Sequence, residues 1–431
     1  MASTGSPRRI AILPGEILSE DPTHNWLSLA VPLVLQQDLA TSQSTVAFYA
    51  KDQSAAYQGQ AIEALRTSIE ERNGRIRLLS TVTDLANQKS SQIHESEGEK
   101  QSGFIVRLDQ LAKELDSLHA QKFSTRDDHA LQFFTAAAAG NDNQQGASLF
   151  RQATAADPSF GLAQIALLEM SPQTVLPGPV VDRFAPFDRA RYRALLARVQ
   201  HAPLATQASA QAAVIALAPH NVDALGELGW DRFLMGAGSE GERLLREASA
   251  LNPENMNLKL QLAQGLVTAR QFSDAAQILR ALSNSNPNLL PALASVELLS
   301  SHAREAEETF RNFANLIPTG TPLRAFVEGQ WQAIVQKKVP VIPAGISSPL
   351  AEGYACFLAG RFDQAVAFWR RVLEQSGGTD LRSRAMLAAS LDRAGKAKAS
   401  PGLPLLPFLP DFNDPYSPIA FNEMRRLLKM Q

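Results

Sequence analysis

The chain has 431 residues, of which 45% are hydrophobic and 19% are charged. This length and composition predict two or three globular domains and exclude a disordered chain. The formal net charge is −2, and no basic stripe is present. Because phosphate contacts need clustered Lys and Arg, we expect no nucleic-acid partner.

The single cysteine, Cys356, excludes an internal disulfide framework and a multi-cysteine zinc site. It stands in an apolar helical stretch, which favours a small buried thiol. No apolar run reaches the roughly 18 residues of a membrane span, and no secretion-signal core follows the polar start of the chain. We expect a cytoplasmic protein, or a periplasmic one if an upstream signal or anchor exists.

Residues 8–122 show the pattern of an α/β domain. Residues 9–14 form an apolar run ended by proline, which predicts a buried strand. Apolar residues spaced for one helix face predict a helix over 25–40. A second strand is predicted over 45–50, and a weak helix over 55–65.

A hairpin signal follows in the same domain. Asn73 and Gly74 form the dipeptide that best fits a two-residue hairpin turn. Period-two alternation over 75–85 predicts the second arm, and a third strand is predicted over 90–97. An amphipathic helix over 103–118 closes the domain, which therefore contains a three-stranded meander.

The opening Arg-Ile-Ala-Ile-Leu-Pro of residues 9–14, the helix after it and the meander over 68–84 resemble a known domain. It is the amino-terminal domain of TolB, with the similar α/β domains of CadC-like sensors and of bacterial cyclase and kinase accessory regions. Residues 60–66 are shorter than the corresponding part of that family. The resemblance carries over no catalytic residues.

The second half of the chain is organised by repeated prolines. Pro219, Pro253 and Pro287 are spaced by 34 residues, the period of a tetratricopeptide repeat. Proline ends the second helix of each helix–turn–helix unit. In this register Gly229 falls at a close helix crossing, where small residues allow two helices to approach, and Gly236 falls at the turn between the helices.

Further segments fit the same pattern. Residues 127–158 read as a first unit, and residues 360–373 closely resemble the turn and second helix of the tetratricopeptide family. A shorter unit ends at Pro318. The resemblance implies a helical solenoid, so the predicted fold is an α/β domain followed by an all-α superhelix, mostly α overall.

Prolines also mark the predicted boundaries. Four of them interrupt residues 171–186, which predicts a bridge without helix, and 340–349 read as a second proline-rich loop. We divide the chain into a TolB-like domain with a β-meander over 8–122, a first tetratricopeptide unit over 123–171, a Pro-rich bridge over 172–186, a tetratricopeptide-like superhelix over 187–396, and a Pro-rich tail with a docking helix over 397–431.

One motif resembles a nucleotide fingerprint. Gly236, Gly238 and Gly241 match G-x-G-x-x-G, which binds a dinucleotide only between a strand and a helix. Here the preceding segment is predicted to be helical and Gly236 coincides with the repeat turn. The motif is therefore interpreted as a turn.

Two polar clusters are candidates for chemical sites. Asp127, Asp128 and His129 stand at a predicted helix start, where acidic residues cap free N–H groups. His302, Glu305 and Glu308 have helical spacing, but the metal motif H-E-x-x-H is absent. We predict a chain without catalytic residues, cofactor or metal, which is not an enzyme.

In tetratricopeptide proteins the first helix of each repeat lines a concave groove, and the resemblance implies three groove positions per repeat. Large apolar side chains there can anchor a peptide; alternatively, they pack on neighbouring repeats. The groove lacks paired Lys and Arg that would clamp a terminal carboxylate. The candidate peptide-binding residues are Trp230, Phe233, Leu260, Gln264, Val267, Tyr354 and Phe357, with Gly226 and Leu350 at the two remaining positions.

The leading functional hypothesis is a bacterial scaffold or adaptor that binds a protein or peptide on this groove. The alternative is a ligand-sensing regulatory region of a cyclase, kinase or CadC-like signalling protein. A third reading, an enzyme within the α/β domain, stays open because the absence of motifs does not exclude catalysis.

Overall fold

The computed structural model describes residues 7–18, 22–72, 75–99, 103–140, 142–339, 350–376, 380–396, 418–420 and 422. It divides into two compact units, the first formed by residues 1–228 with 247–254 and the second by residues 229–246 with 255–431. The α/β domain therefore shares one unit with the first helices of the repeat region.

The α/β domain contains six strands and three α-helices among its described residues, besides a 3-10 turn at Pro22–His24. They are β1 Arg8–Ile12, β2 Glu16–Ile17, α1 Leu27–Leu39, β3 Thr45–Tyr49, α2 Gln53–Gln58, β4 Glu63–Arg72, β5 Arg75–Asp84, β6 Ser90–Glu99 and α3 Phe104–Leu115. Strands and helices alternate at first, and three long strands then follow one another directly.

The strands form one mixed sheet with the order β3-β1-β4-β5-β6, and β2 pairs with β4. β1 is parallel to both β3 and β4, whereas β4, β5 and β6 form an antiparallel meander. Ile10, Ile12 and Leu65 belong to the main core, together with Leu35 of α1 and Phe104 of α3. This core lies on one face of the sheet, as expected for a sheet covered by helices.

The predicted hairpin register is confirmed, because Arg72 pairs with Arg75 across a two-residue connection. That connection, Asn73-Gly74, lies outside the described residues. The predicted helix over 55–65 is wrong in its second half, where α2 ends at Gln58 and β4 begins at Glu63. Pairing of β4 with β1 and along the whole of β5 outweighs the weak local helix preference.

The remaining described residues are mostly helical. The helices are α4 Asp128–Ala139, α5 Asn143–Ala156, α6 Gly161–Met170, α7 Gly178–Val181, α8 Pro186–Val199, α9 Leu204–Leu217, α10 Val222–Leu234, α11 Gly238–Leu251, α12 Met256–Thr268, α13 Phe272–Ser283, α14 Leu290–Leu299, α15 Ala303–Asn315, α16 Pro322–Gln336, α17 Ala351–Leu358, α18 Phe362–Gln375 and α19 Leu381–Arg393. Antiparallel neighbours joined by short turns are typical of helical repeats.

Consecutive helices pack in pairs, including α4 with α5, α8 with α9, α12 with α13, α14 with α15, and α17 with α18. Pro219, Pro253 and Pro287 follow the ends of α9, α11 and α13, so the proline register is confirmed. Gly236 stands between α10 and α11 at φ 82°, a left-handed conformation that glycine adopts without steric cost. The predicted repeat turn is confirmed as well.

The proline-rich segments differ from one another. The bridge over 172–186 was predicted to lack helix, but α7 forms one short turn within it. Pro179 stands in the first turn of α7, where its missing N–H costs no hydrogen bond. The loop over 340–349 lies outside the described residues, as does most of the tail; its Ala420 is fully buried in a core cluster of the second unit.

Candidate functional site

Phe233, a candidate groove residue at the end of α10, is only 3% exposed. Its ring lies against the backbone of two glycines of the second unit. A Cβ atom placed on Gly241 would be 2.8 Å from the ring, and one on Gly265 would overlap it. Phe233 therefore fills a space that the two glycines leave open.

Three more candidate groove residues are buried. Val267, Tyr354 and Phe357 are each 2% exposed. The Tyr354 ring meets Trp369 edge to face with centroids 5.2 Å apart, and Phe357 meets Phe362 at 5.8 Å. Such pairs stabilise a core beyond the area they bury. The burial of these side chains favours the alternative that they pack between helices.

The other three candidates are accessible in part. All three are half-buried: Trp230 lies on α10, and Leu260 and Gln264 lie on α12. Leu260 and Gln264 are four residues apart and so share one face of α12. Gly226 is buried, and Leu350 is half-buried. The surface open to a partner is therefore narrower than the sequence predicted, and its binding role stays a prediction.

The structure accounts for the two motifs that resembled chemical sites. The Asp127 carboxylate accepts hydrogen bonds from the N–H groups of His129, at 2.8 Å, and Ala130, at 3.0 Å. The predicted helix cap is confirmed. The Gly236–Gly241 motif follows helix α10 rather than a strand, and a Cβ on Gly241 would lie 2.7 Å from the Gly229 carbonyl oxygen. These glycines allow a close helix crossing.

Cys356 is 3% exposed, so the predicted buried thiol is confirmed. Burial raises the pKa of this thiol. In the described part of the chain, no three His, Cys, Asp or Glu side chains are arranged to hold a metal ion. Within the same residues, no helix combines the length and apolar character that crossing a membrane requires.

A feature that the sequence analysis missed is a cleft of about 630 Å³ in the first unit. Its walls are strand β3, the second half of α1, the segment over 220–223 and the turn over 251–254. Clefts of this volume are in the range that binds ligands or peptide segments. The wall segments are distant in sequence and share no motif, so no local pattern indicates the cleft.

Cationic side chains line this cleft. The Arg9 guanidinium lies 5.2 Å from the centroid of the Phe48 ring, and burial lowers its pKa. The Arg191 guanidinium lies 5.5 Å from the Phe187 ring centroid. Both arginines are half-buried. A guanidinium held over an aromatic face is attracted by the ring and stays charged.

Three buried carboxylates lie in helices of the first unit, and one of them bonds to Gln37, which lines the cleft. Burial raises the pKa of Asp188 to about 6, although its Oδ1 accepts a hydrogen bond from Gln37 Nε2 at 2.6 Å. Asp109 is paired with Arg126 at 2.5 Å. Asp38 is fully buried, and burial with the negative charge of Asp109 raises its pKa to about 10. These groups join α1, α3 and α8 within the first unit.

Comparison with known proteins identifies one family segment. Residues 232–297 match the model of the tetratricopeptide repeat. The matched segment contains α11, α12 and α13 and reaches into α14. The chain is thus a helical-repeat protein in which a tetratricopeptide segment follows a small mixed sheet along the sequence.

Two solved structures are similar to the chain at low identity. A human IFIT1 dimer with PPP-AAAA is 13% identical, with 68% of this chain and 74% of that chain covered, at a TM-score of 0.33. A human IFIT1 dimer with m7Gppp-AAAA is 12% identical, with 76% and 77% covered, at a TM-score of 0.34. No curated protein matches the sequence.

Proposed function

We propose that this chain is a non-enzymatic scaffold or adaptor that binds a protein or peptide on its tetratricopeptide segment. The observation that carries the proposal is the family match over 232–297. Stacked helix pairs of this type present extended binding surfaces. The proposed contact surface consists of Trp230, Leu260 and Gln264, which are half-buried on α10 and α12.

The chemistry of these side chains supports this choice. A partly exposed Trp offers a large rigid contact area, and tryptophan is enriched among residues that dominate binding energy. Leu260 adds apolar area, and Gln264 lies beside it on the same face of α12. Phe233 and Val267, on the same two helices, are buried and are therefore left out of the proposed contact surface.

The test is affinity capture with the full-length chain from extracts of the cells that produce it. Recovery of a partner should fall at least tenfold, which corresponds to about 1.4 kcal/mol, when Trp230→Ala and Gln264→Ala are combined. Gln277→Ala is the matched control, because Gln277 is an exposed glutamine on α13. Equal recovery by the double variant, with unchanged circular dichroism, would refute the assignment.

The TolB-like nature of the α/β domain, and the regulatory role that it implies, is a second proposal. Its support is the strand arrangement, in which a parallel β3-β1-β4 group continues into an antiparallel meander. The opening strand, the helix after it and the meander are the parts on which the resemblance rests. The sequence of the natural gene upstream of the chain tests this second proposal. A fused catalytic module there would favour the regulatory role, whereas a native start at Met1 would favour the scaffold.

A further inference from the structure

Among the described strands, β3 forms one edge of the sheet and is paired with β1 alone. Two hydrogen bonds bracket this pair. The Arg8 N–H donates to the Ser44 carbonyl at 2.8 Å, and the Ala50 N–H donates to the Ile12 carbonyl at 3.1 Å. These bonds determine which residues of β3 direct their main chain toward β1.

Along a parallel strand, residues bond alternately to one side and to the other. Val46 and Phe48 lie two and four positions after Ser44, whose carbonyl bonds to β1. Their main-chain N–H and C=O groups therefore also face β1. Ala47 and Tyr49 therefore direct their N–H and C=O groups to the opposite side. All residues of β3 line the cleft, so this free edge faces the cleft.

The edge at β3 lacks the devices that usually protect a sheet edge. Its sequence, Thr-Val-Ala-Phe-Tyr, contains no proline and no charge, and its pairing with β1 runs without a bulge. The opposite edge, β6, contains three glutamates, and its pairing with β5 is irregular at Ser80/Thr81. The two edges thus differ in the way expected if the charges of β6 prevent pairing with a further strand and β3 pairs with one.

The cleft contains charges of both signs, since Asp223 and Glu254 line it together with Arg9 and Arg191. Beside β3, however, the charged group is Arg9, which favours an acidic side chain at that position. Arg9 donates to the carbonyl oxygens of Gly59, at 2.6 Å, and Gln60, at 3.3 Å, and among the described residues it has no carboxylate partner. Its guanidinium lies over Phe48 of β3. Because a half-buried guanidinium binds a carboxylate through charge-assisted hydrogen bonds, a ligand carboxylate near Arg9 would stabilise the complex.

We propose that this cleft binds an extended peptide segment that adds a strand to β3 and places an acidic side chain near Arg9. Ala47 and Tyr49 supply the main-chain hydrogen bonds. Five extended residues span about 17 Å, so a peptide of five to seven residues matches the strand. Strand addition obtains affinity from the main chain and specificity from side-chain pockets. The site lies in the first unit and is distinct from the proposed tetratricopeptide surface.

The probe is a displayed library of random heptapeptides selected on the full-length protein and counter-selected on Ala47→Pro. Proline at 47 removes the N–H that faces the cleft, whereas pairing with β1 uses Val46 and Phe48. Proline is tolerated on an edge strand in this orientation. We expect selected peptides to bind the wild type at least tenfold more tightly than Ala47→Pro, measured by fluorescence anisotropy.

A second series tests the main chain directly on the wild-type protein. Single N-methyl groups are placed along one selected peptide. Methylation of the alternate amides that face β3 should weaken binding at least tenfold, and methylation of the amides between them less than twofold. Arg9→Gln should weaken a peptide with Glu at the matching position and leave its Gln version unchanged.

Loss of binding without alternation along the peptide would overturn strand addition, as would equal affinity for Ala47→Pro. Failure to enrich any peptide over the counter-selection would also overturn it. Should Ala47→Pro unfold, the N-methyl series decides alone. If N-acetylglutamate binds as tightly as the peptides do, the cleft is a small-anion site and the proposal is wrong.

Discussion

Asp38 stands in α1 with no exposed surface. Neither of its carboxylate oxygens meets an N–H or O–H donor from the described residues. Burial raises its pKa to about 10, and the negative charge of Asp109 acts in the same direction. In the folded protein the carboxyl is therefore neutral at pH 7, and as an acid it can donate a hydrogen bond to Asp109.

The sign of the pH dependence follows from this shift. The unfolded chain ionises Asp38 near its ordinary pKa of 3.8, so folding at higher pH requires uptake of a proton. The free energy of unfolding therefore falls as the pH rises from about 4 toward the folded pKa. At about 1.36 kcal/mol per pH unit, the upper limit of this penalty at pH 7 is about 4 kcal/mol.

Asparagine has the shape of aspartic acid and does not titrate. Asp38→Asn should therefore raise the free energy of unfolding by about 1–3 kcal/mol at pH 7 and by little at pH 4. Urea unfolding followed by circular dichroism between pH 4 and pH 8 measures the difference. Hydrogen exchange in α1 and α3 assigns it to the first unit.

The matched control for this substitution is Asp142→Asn. Asp142 is exposed and caps α5 through the N–H of Gln144 at 2.8 Å, a role that Asn fills equally well. The control should change stability little at any pH. The reasoning about Asp38 fails if Asp38→Asn destabilises the protein at pH 7, or if its effect is the same at pH 4 and pH 7.

Three further predictions concern packing and capping. In Gly265→Ala the new methyl overlaps the Phe233 ring, so urea unfolding should show a free energy of unfolding lower by about 1–3 kcal/mol. The control is Gly178→Ala, which has open space around the new methyl and should change that free energy by no more than about 0.5 kcal/mol. Cys356 is buried with a raised pKa, so Ellman's reagent should react with it only after urea is added; fast reaction in buffer would contradict the packing. Asp127→Ala removes two capping hydrogen bonds and should cost about 0.5–2 kcal/mol, and an unchanged melting temperature would be inconsistent with the cap.

Local patterns were sufficient where the fold depends on local chemistry. The meander register follows from a two-residue turn at 73–74 and period-two alternation, and the helix pairs follow from proline spacing. The segment over 55–65 was predicted less well, because β4 forms through pairing with β1 and β5. Strand formation there depends on partners that are distant in sequence.

The candidate site was harder to predict for a similar reason. The repeat register places Phe233 and Tyr354 at groove positions, but the direction of each side chain depends on its neighbours. Gly265 leaves room for the Phe233 ring, and Trp369 packs against Tyr354. Asp38 is a further case, since a charged residue in an amphipathic helix is usually interpreted as exposed.

The most direct test of the proposed scaffold role is photo-crosslinking by benzoylphenylalanine at single positions of the full-length chain. With the probe at 264 on α12, a discrete crosslinked partner is expected after irradiation in the producing cells. With the probe at 277 on the exposed face of α13, that partner should not be crosslinked. Equal crosslinking from both positions, or none from 264, would contradict peptide or protein binding on the tetratricopeptide segment.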